Sequence, residues 1–121
     1  MEFDNNIPIY IQVIKDIKKD IVKGVIQLGE KLPSGRDLAL KYQINPNTAN
    51  RIYKELEAEE ICFTKRGLGT YVTMDEEKLK SIRVEMAGSL LDNFIAGMKD
   101  LGFKKEETIK IIEVKYDAKS F

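Results

Sequence analysis

This 121-residue chain has no histidine, no tryptophan, one cysteine and three prolines, and its charges sum to zero. Without histidine there is no imidazole base, no His-bearing metal site and no Cys-His pair. The commonest routes to acid-base, metal and thiol catalysis are therefore closed, and neither an enzyme nor a cofactor is expected. The lone Cys62 excludes an internal disulfide. It lies in an alternating strand pattern with no electropositive setting in view, which makes it a packing residue rather than a redox sensor. No apolar run is long enough to cross a bilayer and no signal-peptide pattern opens the chain, so no membrane partner is expected and the cytoplasm is the default location. Lys+Arg and Asp+Glu number 20 each, which excludes a nonspecific polycation. Asp75-Glu76-Glu77 is an acidic run that needs no site to explain it, since carboxylates at the start of a long helix are favoured by the helix dipole.

What is present is concentrated in residues 32–56, LPSGRDLALKYQINPNTANRIYKEL. Asn45 can cap a helix and Pro46 fits its first position, where a missing N–H costs nothing. Ala49, Ile52, Tyr53 and Leu56 then fall at i, i+3, i+4 and i+7, one buried stripe at about 100° per residue. Asn47, Asn50, Arg51 and Lys54 occupy the opposite side. Upstream, Ser34 caps a shorter helix with Asp37 three residues on, and Leu38, Ala39 and Tyr42 form its inner face. Ile44 closes the turn between the two, so the segment reads as a helix-turn-helix. Downstream, residues 61–65 and 70–73 are β-rich and flank Arg66-Gly67-Leu68-Gly69, a hairpin loop whose glycines suit positive φ. Gly67-x-Gly69 lies between strands with no helix after it, so it is a turn and not a phosphate loop.

The exposed helix face carries the chemistry of major-groove reading. Asn pairs bidentately with adenine and Arg with guanine, so Asn47, Asn50 and Arg51 are the expected base readers. Arg36, Thr48, Lys54, Lys65 and Arg66 flank that face or sit on the hairpin and suit phosphate contacts, with Arg36 also within reach of a base. Lys31 and Lys41 add local positive charge although both parts of the chain, divided after Met74, are nearly neutral. A polar outer face is also the ordinary property of a surface helix, and the same face would serve an adaptor that meets a protein instead of DNA.

Pro8-Ile9-Tyr10, Gly29-x-x-Leu32-Pro33-Ser34-x-Arg36-x-Leu38-Ala39, Asn45-Pro46-Asn47-Thr48, Tyr53-x-x-Leu56-Glu57 and Gly67-x-Gly69-Thr70-Tyr71-Val72 occur in that order. Together they resemble the GntR superfamily of bacterial transcription regulators, in its small YtrA-like branch, over about the first 73 residues. The resemblance implies a winged helix-turn-helix that binds double-stranded operator DNA, usually as a repressor and often near transporter genes. It adds Ser34, Asn45, Gly67, Gly69 and Thr70 to the DNA-facing set. Two positions depart from the pattern. Gly35 stands where an acidic residue is common and is expected to loosen the start of its helix, while Glu60 replaces a glycine and is expected to remove the usual left-handed cap after the second helix.

The first helix runs from Pro8 to about Gly24, with Tyr10, Val13, Ile14, Ile17 and Ile21 inward and Lys15, Lys18, Lys19 and Asp20 outward. Residues 25–31 read as a connection. A long helix, about Glu76 to Leu101, and a second from Lys105 to Tyr116 follow the hairpin. Leu79, Ile82, Met86, Leu90, Phe94 and Leu101 form one stripe on the long helix, which Ile109, Ile112 and Tyr116 are expected to cover. Val84, Leu91, Ile95 and Met98 form another, with the small Ala87 and Gly88 beside it, and a second subunit is its natural cover. The expected class is thus mainly α with a small β-hairpin (α+β): residues 1–74 a winged helix-turn-helix, residues 75–121 a two-helix dimerisation segment. In larger relatives the C-terminal domain binds a metabolite. Two helices of one chain do not enclose a typical pocket, so a small-molecule effector would lie between subunits or domains, and the sequence does not name one.

Overall fold

The structure is a computed structural model that describes residues 1–118. In chain order the elements are α1 (Ile9–Lys23), α2 (Gly35–Tyr42), α3 (Pro46–Ala58), β1 (Cys62–Lys65), β2 (Gly69–Val72), α4 (Glu76–Asp100) and α5 (Lys105–Tyr116). They form two compact units, Met1–Arg83 and the chain from Val84 onward. The boundary expected after Met74 falls instead inside α4, because Ile82 is buried and belongs with the first unit.

The core of the first unit is the set of stripes the helical period defines. Val13, Ile14, Ile17 and Ile21 of α1 are buried with Leu38, Ala39 and Tyr42 of α2 and Ala49, Ile52, Tyr53 and Leu56 of α3. Ile61, Cys62 and Val72 close it from the hairpin. Ile52 and Leu56 are fully enclosed, each contributing about 1.5 to 3 kcal/mol of transfer free energy.

The helix ends show why the chain turns where it does. Ser34 Oγ accepts the Asp37 N–H at 3.1 Å, and Asn45 Oδ1 accepts the Asn47 N–H at 2.8 Å, so both helices of the pair start on side-chain caps. Between them Gln43 takes a left-handed φ of 55°, and the Ile44 N–H reaches back to the Ala39 carbonyl at 2.9 Å. Both expectations about the departing positions are corrected. α2 begins at Gly35 itself, held by the Ser34 cap. Glu60 adopts φ 60° without glycine's help, and the Glu60 and Ile61 N–H groups bond the Glu57 and Leu56 carbonyls, each at 2.9 Å. Two satisfied carbonyls offset the strain of a left-handed glutamate.

Polar ties hold the three helices of the first unit together. The Tyr42 hydroxyl donates to the Asp16 carboxylate at 2.6 Å, and burial followed by that hydrogen bond pushes its pKa above the usual phenol range. Tyr53 donates to the Pro33 carbonyl and is likewise raised, first by burial. Lys18, expected to point outward, instead forms a 3.0 Å ion pair with Glu59 at the end of α3 and is largely covered.

The hairpin pairs β1 and β2 antiparallel, with Cys62 opposite Val72, Phe63 opposite Tyr71, Thr64 opposite Thr70 and Lys65 opposite Gly69. Gly67 turns the loop at φ 77°, whereas Gly69, expected in the loop, is instead the first residue of β2, because its backbone pairs with Lys65. The segment read as a plain connection does more than connect. Lys31 bridges Tyr71, the Leu32 N–H donates to the Thr70 carbonyl at 2.7 Å, and the Val72 N–H donates to the Glu30 carbonyl at 2.9 Å. The outer edge of β2 is thereby paired.

The second unit contains the rest of α4 and α5, joined through Gly102 at φ 85°. None of its described side chains is buried. An apolar groove of about 610 Å³ separates the helices, lined by Leu91, Phe94, Ile95 and Met98 from α4 and by Phe103, Thr108, Ile109 and Ile112 from the turn and α5. This corrects the division into stripes. Leu90 and Leu101, assigned to α5, stay about three-quarters exposed, and Tyr116 covers neither. Leu91, Ile95 and Met98, assigned wholly to a partner, line the groove beside α5. The groove also exceeds the space expected from two helices, although it is partly open. Val84 is exposed, and a Cβ at Gly88 would meet nothing within 4 Å.

Candidate nucleic-acid interface

The outer face of α3 stays outside the core. Asn47, Asn50, Arg51 and Lys54 are exposed and Thr48 is half-buried, while the residues between them fill the core. The 3.6-residue period puts the four exposed side chains on one side, which is what reading a groove with one helix requires.

The structure arranges these groups unequally. Arg51 is clamped: its Cζ lies 3.7 Å from the centre of the Tyr10 ring, and its Nε lies 3.9 Å from Glu55 Oε1, one turn along. Sequence reasoning placed Tyr10 in the core stripe of α1 and so missed this contact. Its ring is half-buried and forms the floor under the guanidinium. Asn50 rests on Gly35, where an added Cβ would stand 2.7 Å from the Asn50 Oδ1. Asn45 and Ser34 spend a side-chain oxygen on capping, so their part in the interface is first to fix the two helix starts.

On the hairpin, Lys65 and Arg66 are exposed beside Gly67. Lys65 Nζ sits 4.7 Å from the Tyr71 ring centre and 5.7 Å from that of Phe63, and those two rings stack with centres 6.0 Å apart. Cation–π attraction holds the ammonium on the outward face of the sheet. Thr70 lies on the other face, its hydroxyl 3.4 Å from that of Thr64, which donates to Glu57. Lys31 lies across Gly69, its Cε 2.9 Å from where a Cβ would be. A cleft of about 530 Å³ joins Ser34 and Gly35 at the start of α2 to Gly69 and Thr70 on the hairpin, so Ser34, Gly69 and Thr70 of the expected set are neighbours. Arg36 is exposed on the first turn of α2.

Cys62 is buried against the Tyr53 carbonyl at 3.9 Å. Burial, and then the Glu57 carboxylate, push its thiol up to about 12, as expected for a packing residue. No helix among the described residues is long and apolar enough to cross a membrane.

A helix pair with an exposed polar second helix, followed by a basic hairpin, defines a winged helix-turn-helix domain. The description "Bacterial regulatory proteins, gntR family" matches residues 9–72. The chain belongs to this GntR family, whose members are transcriptional regulators and not enzymes. It is 41% identical over 98 residues to the "HTH-type transcriptional repressor YtrA" of Bacillus subtilis, covering 76% of this chain and 75% of that one. A solved structure of a GntR family transcriptional regulator from Listeria monocytogenes superposes with a TM-score of 0.86 at 41% identity, covering 92% of this chain and 97% of that one. A second similar structure, AraR(DBD) in complex with an operator, has a TM-score of 0.53 at 26% identity and covers 60% of this chain and 86% of that one.

Proposed function

We propose that the chain is a homodimeric repressor that binds an inverted-repeat operator, each subunit presenting α3 to the major groove of one half-site and its hairpin to the flanking backbone. The observation that carries this reading is the exposed polar face of α3, with Asn47, Asn50, Arg51 and Lys54 side by side. Repression is what the name of the Bacillus subtilis relative states, and the operator complex of the AraR domain supports DNA as the partner. The YtrA-like resemblance points to a transporter operon as the regulated unit. The exposed apolar surface of the second unit supports a subunit contact made by Val84, Ala87, Gly88, Leu91, Ile95 and Met98, since no described side chain there is buried within the chain.

Selection from a random pool of DNA duplexes tests this. A dimeric regulator enriches an inverted repeat, and log affinity for it falls with log salt by about 0.9 per phosphate neutralised. Arg51→Ala lowers affinity for the selected duplex by about 1 to 3 kcal/mol and relaxes one base pair per half-site. Lys54→Ala weakens all duplexes alike and flattens the slope. Failure to enrich any duplex overturns the reading in favour of a protein partner.

A further inference from the structure

We infer that Tyr10 of α1 is a specificity-determining positioning residue, which sets the plane of the Arg51 guanidinium for bidentate pairing with a base. The inference rests on the proposed reading of DNA by α3 and adds the device that orients its arginine. Arginine's hydrogen bonds lie in the plane of the guanidinium, whereas a cation–π contact uses only its face. At 3.7 Å from the ring centre Tyr10 occupies one face. Glu55 approaches only the Nε side, at 3.9 Å, a distance too long for a hydrogen bond. The Nη edge has no hydrogen-bond partner among the described residues, and the arginine side chain is more than half exposed. Face and Nε side are thus engaged while the two donors that a guanine O6/N7 pair needs are left free.

The placement of Tyr10 makes this more than surface packing. Tyr10 stands one turn before Val13 and Ile14, which anchor α1 in the core, so the ring is fixed by an element separate from α3. A free arginine on a helix surface carries several rotatable bonds, and ordering them on binding opposes affinity. A guanidinium already stacked has surrendered part of that freedom before DNA arrives. The phenol hydroxyl plays no part in the stack, so the ring face is the functional element.

The test uses the 121-residue chain and the duplex its wild type selects. Tyr10→Phe keeps the ring face and binds as wild type does. Tyr10→Ala and Tyr10→Leu each lower affinity for the selected duplex by about three- to tenfold, the range of one exposed to partly desolvated cation–π contact, and relax the same base pair as Arg51→Ala. In the Arg51→Ala background either change has no further effect. Tyr10→Leu retains apolar bulk on α1, so a fold disturbed by the alanine is recognised by its different melting temperature. If Tyr10→Phe loses as much as Tyr10→Leu, the hydroxyl acts by itself and the inference fails. It fails equally if the loss from Tyr10→Leu persists in the Arg51→Ala background, or if the base preference is unmoved. A wild type that selects no duplex overturns the DNA reading as well, which separates the two failures.

Discussion

Asn50 of α3 lies directly over Gly35, the first residue of α2, with its Oδ1 2.7 Å from the position a Cβ would take. The missing side chain at 35 therefore sets where the Asn50 carboxamide rests. An alanine there forces the flexible amide to swing away, at small cost to the fold, and improves the local helix propensity. Gly35→Ala should leave the melting temperature within a few degrees of wild type, or raise it, yet alter the base preference at the pair Asn50 reads. Duplex selection with the variant checks this, and an unchanged preference would show that Asn50 does not read from that position.

Glu60 holds a left-handed backbone conformation that a side chain disfavours by about 1 to 2 kcal/mol. Glu60→Gly should therefore stabilise the protein by about 0.5 to 1 kcal/mol, the remainder being offset by glycine's greater freedom in the unfolded chain. Urea denaturation measures it, with DNA binding expected unchanged.

Val84 and Leu91 separate two uses of the apolar surface on α4. Val84 is exposed and lies outside the groove, whereas Leu91 lines it beside α5. If both face a second subunit, Val84→Asp and Leu91→Asp each place an unpaired charge in a desolvated seam and yield monomers, with the far-ultraviolet spectrum of the helices retained. Such monomers should lose operator affinity but keep weak nonspecific binding, because the two recognition helices no longer act as one unit. Light scattering on the two variants decides between these outcomes, and a wild-type monomer at micromolar concentration would refute the interface.

The Cys62 thiol, pushed up to about 12 by burial, gives a pH dependence of definite sign. An unfolded thiol titrates near 8.5, so the folded state prefers the protonated form. Its contribution to stability is complete below about pH 8.5 and is lost as pH rises toward 12. Cys62→Ala should remove that component from the alkaline stability profile. In the native wild type, iodoacetamide at pH 8 should label Cys62 far more slowly than in urea.

The local features of the first unit were legible in the sequence because their causes are local. Asn45-Pro46 announces α3, the spacing of Ala49, Ile52, Tyr53 and Leu56 assigns its buried side, and Gly67 marks the hairpin loop. Contacts between distant residues left no such sign. A residue at i in an apolar stripe reads as core whether or not it stands at the rim, so Tyr10 gave no hint of Arg51, 41 positions away. Lys18 read as a solvated charge for the same reason, since only the packing of α1 brings it to Glu59. Glu60 misled in the other direction: residue preference argued against a left-handed cap, and the hydrogen bonds of the helix end prevailed. In the second unit the apolar residues of α4 and α5 are spread around the helices, so periodicity did not assign them a single inner face.

The pairing of residues 30–32 with the hairpin constrains the lengths of its loops differently. Gly24 closes α1 at one end of the intervening segment, and the Leu32 N–H is bound to the Thr70 carbonyl at the other. An inserted or deleted residue there would slip the pairing and turn side chains to the wrong face. The hairpin tip has no such tether, since Gly67 has open space around it. Insertions are tolerated at the tip and resisted in the connection, so the wing can be lengthened or shortened while its root stays in fixed register with the start of α2.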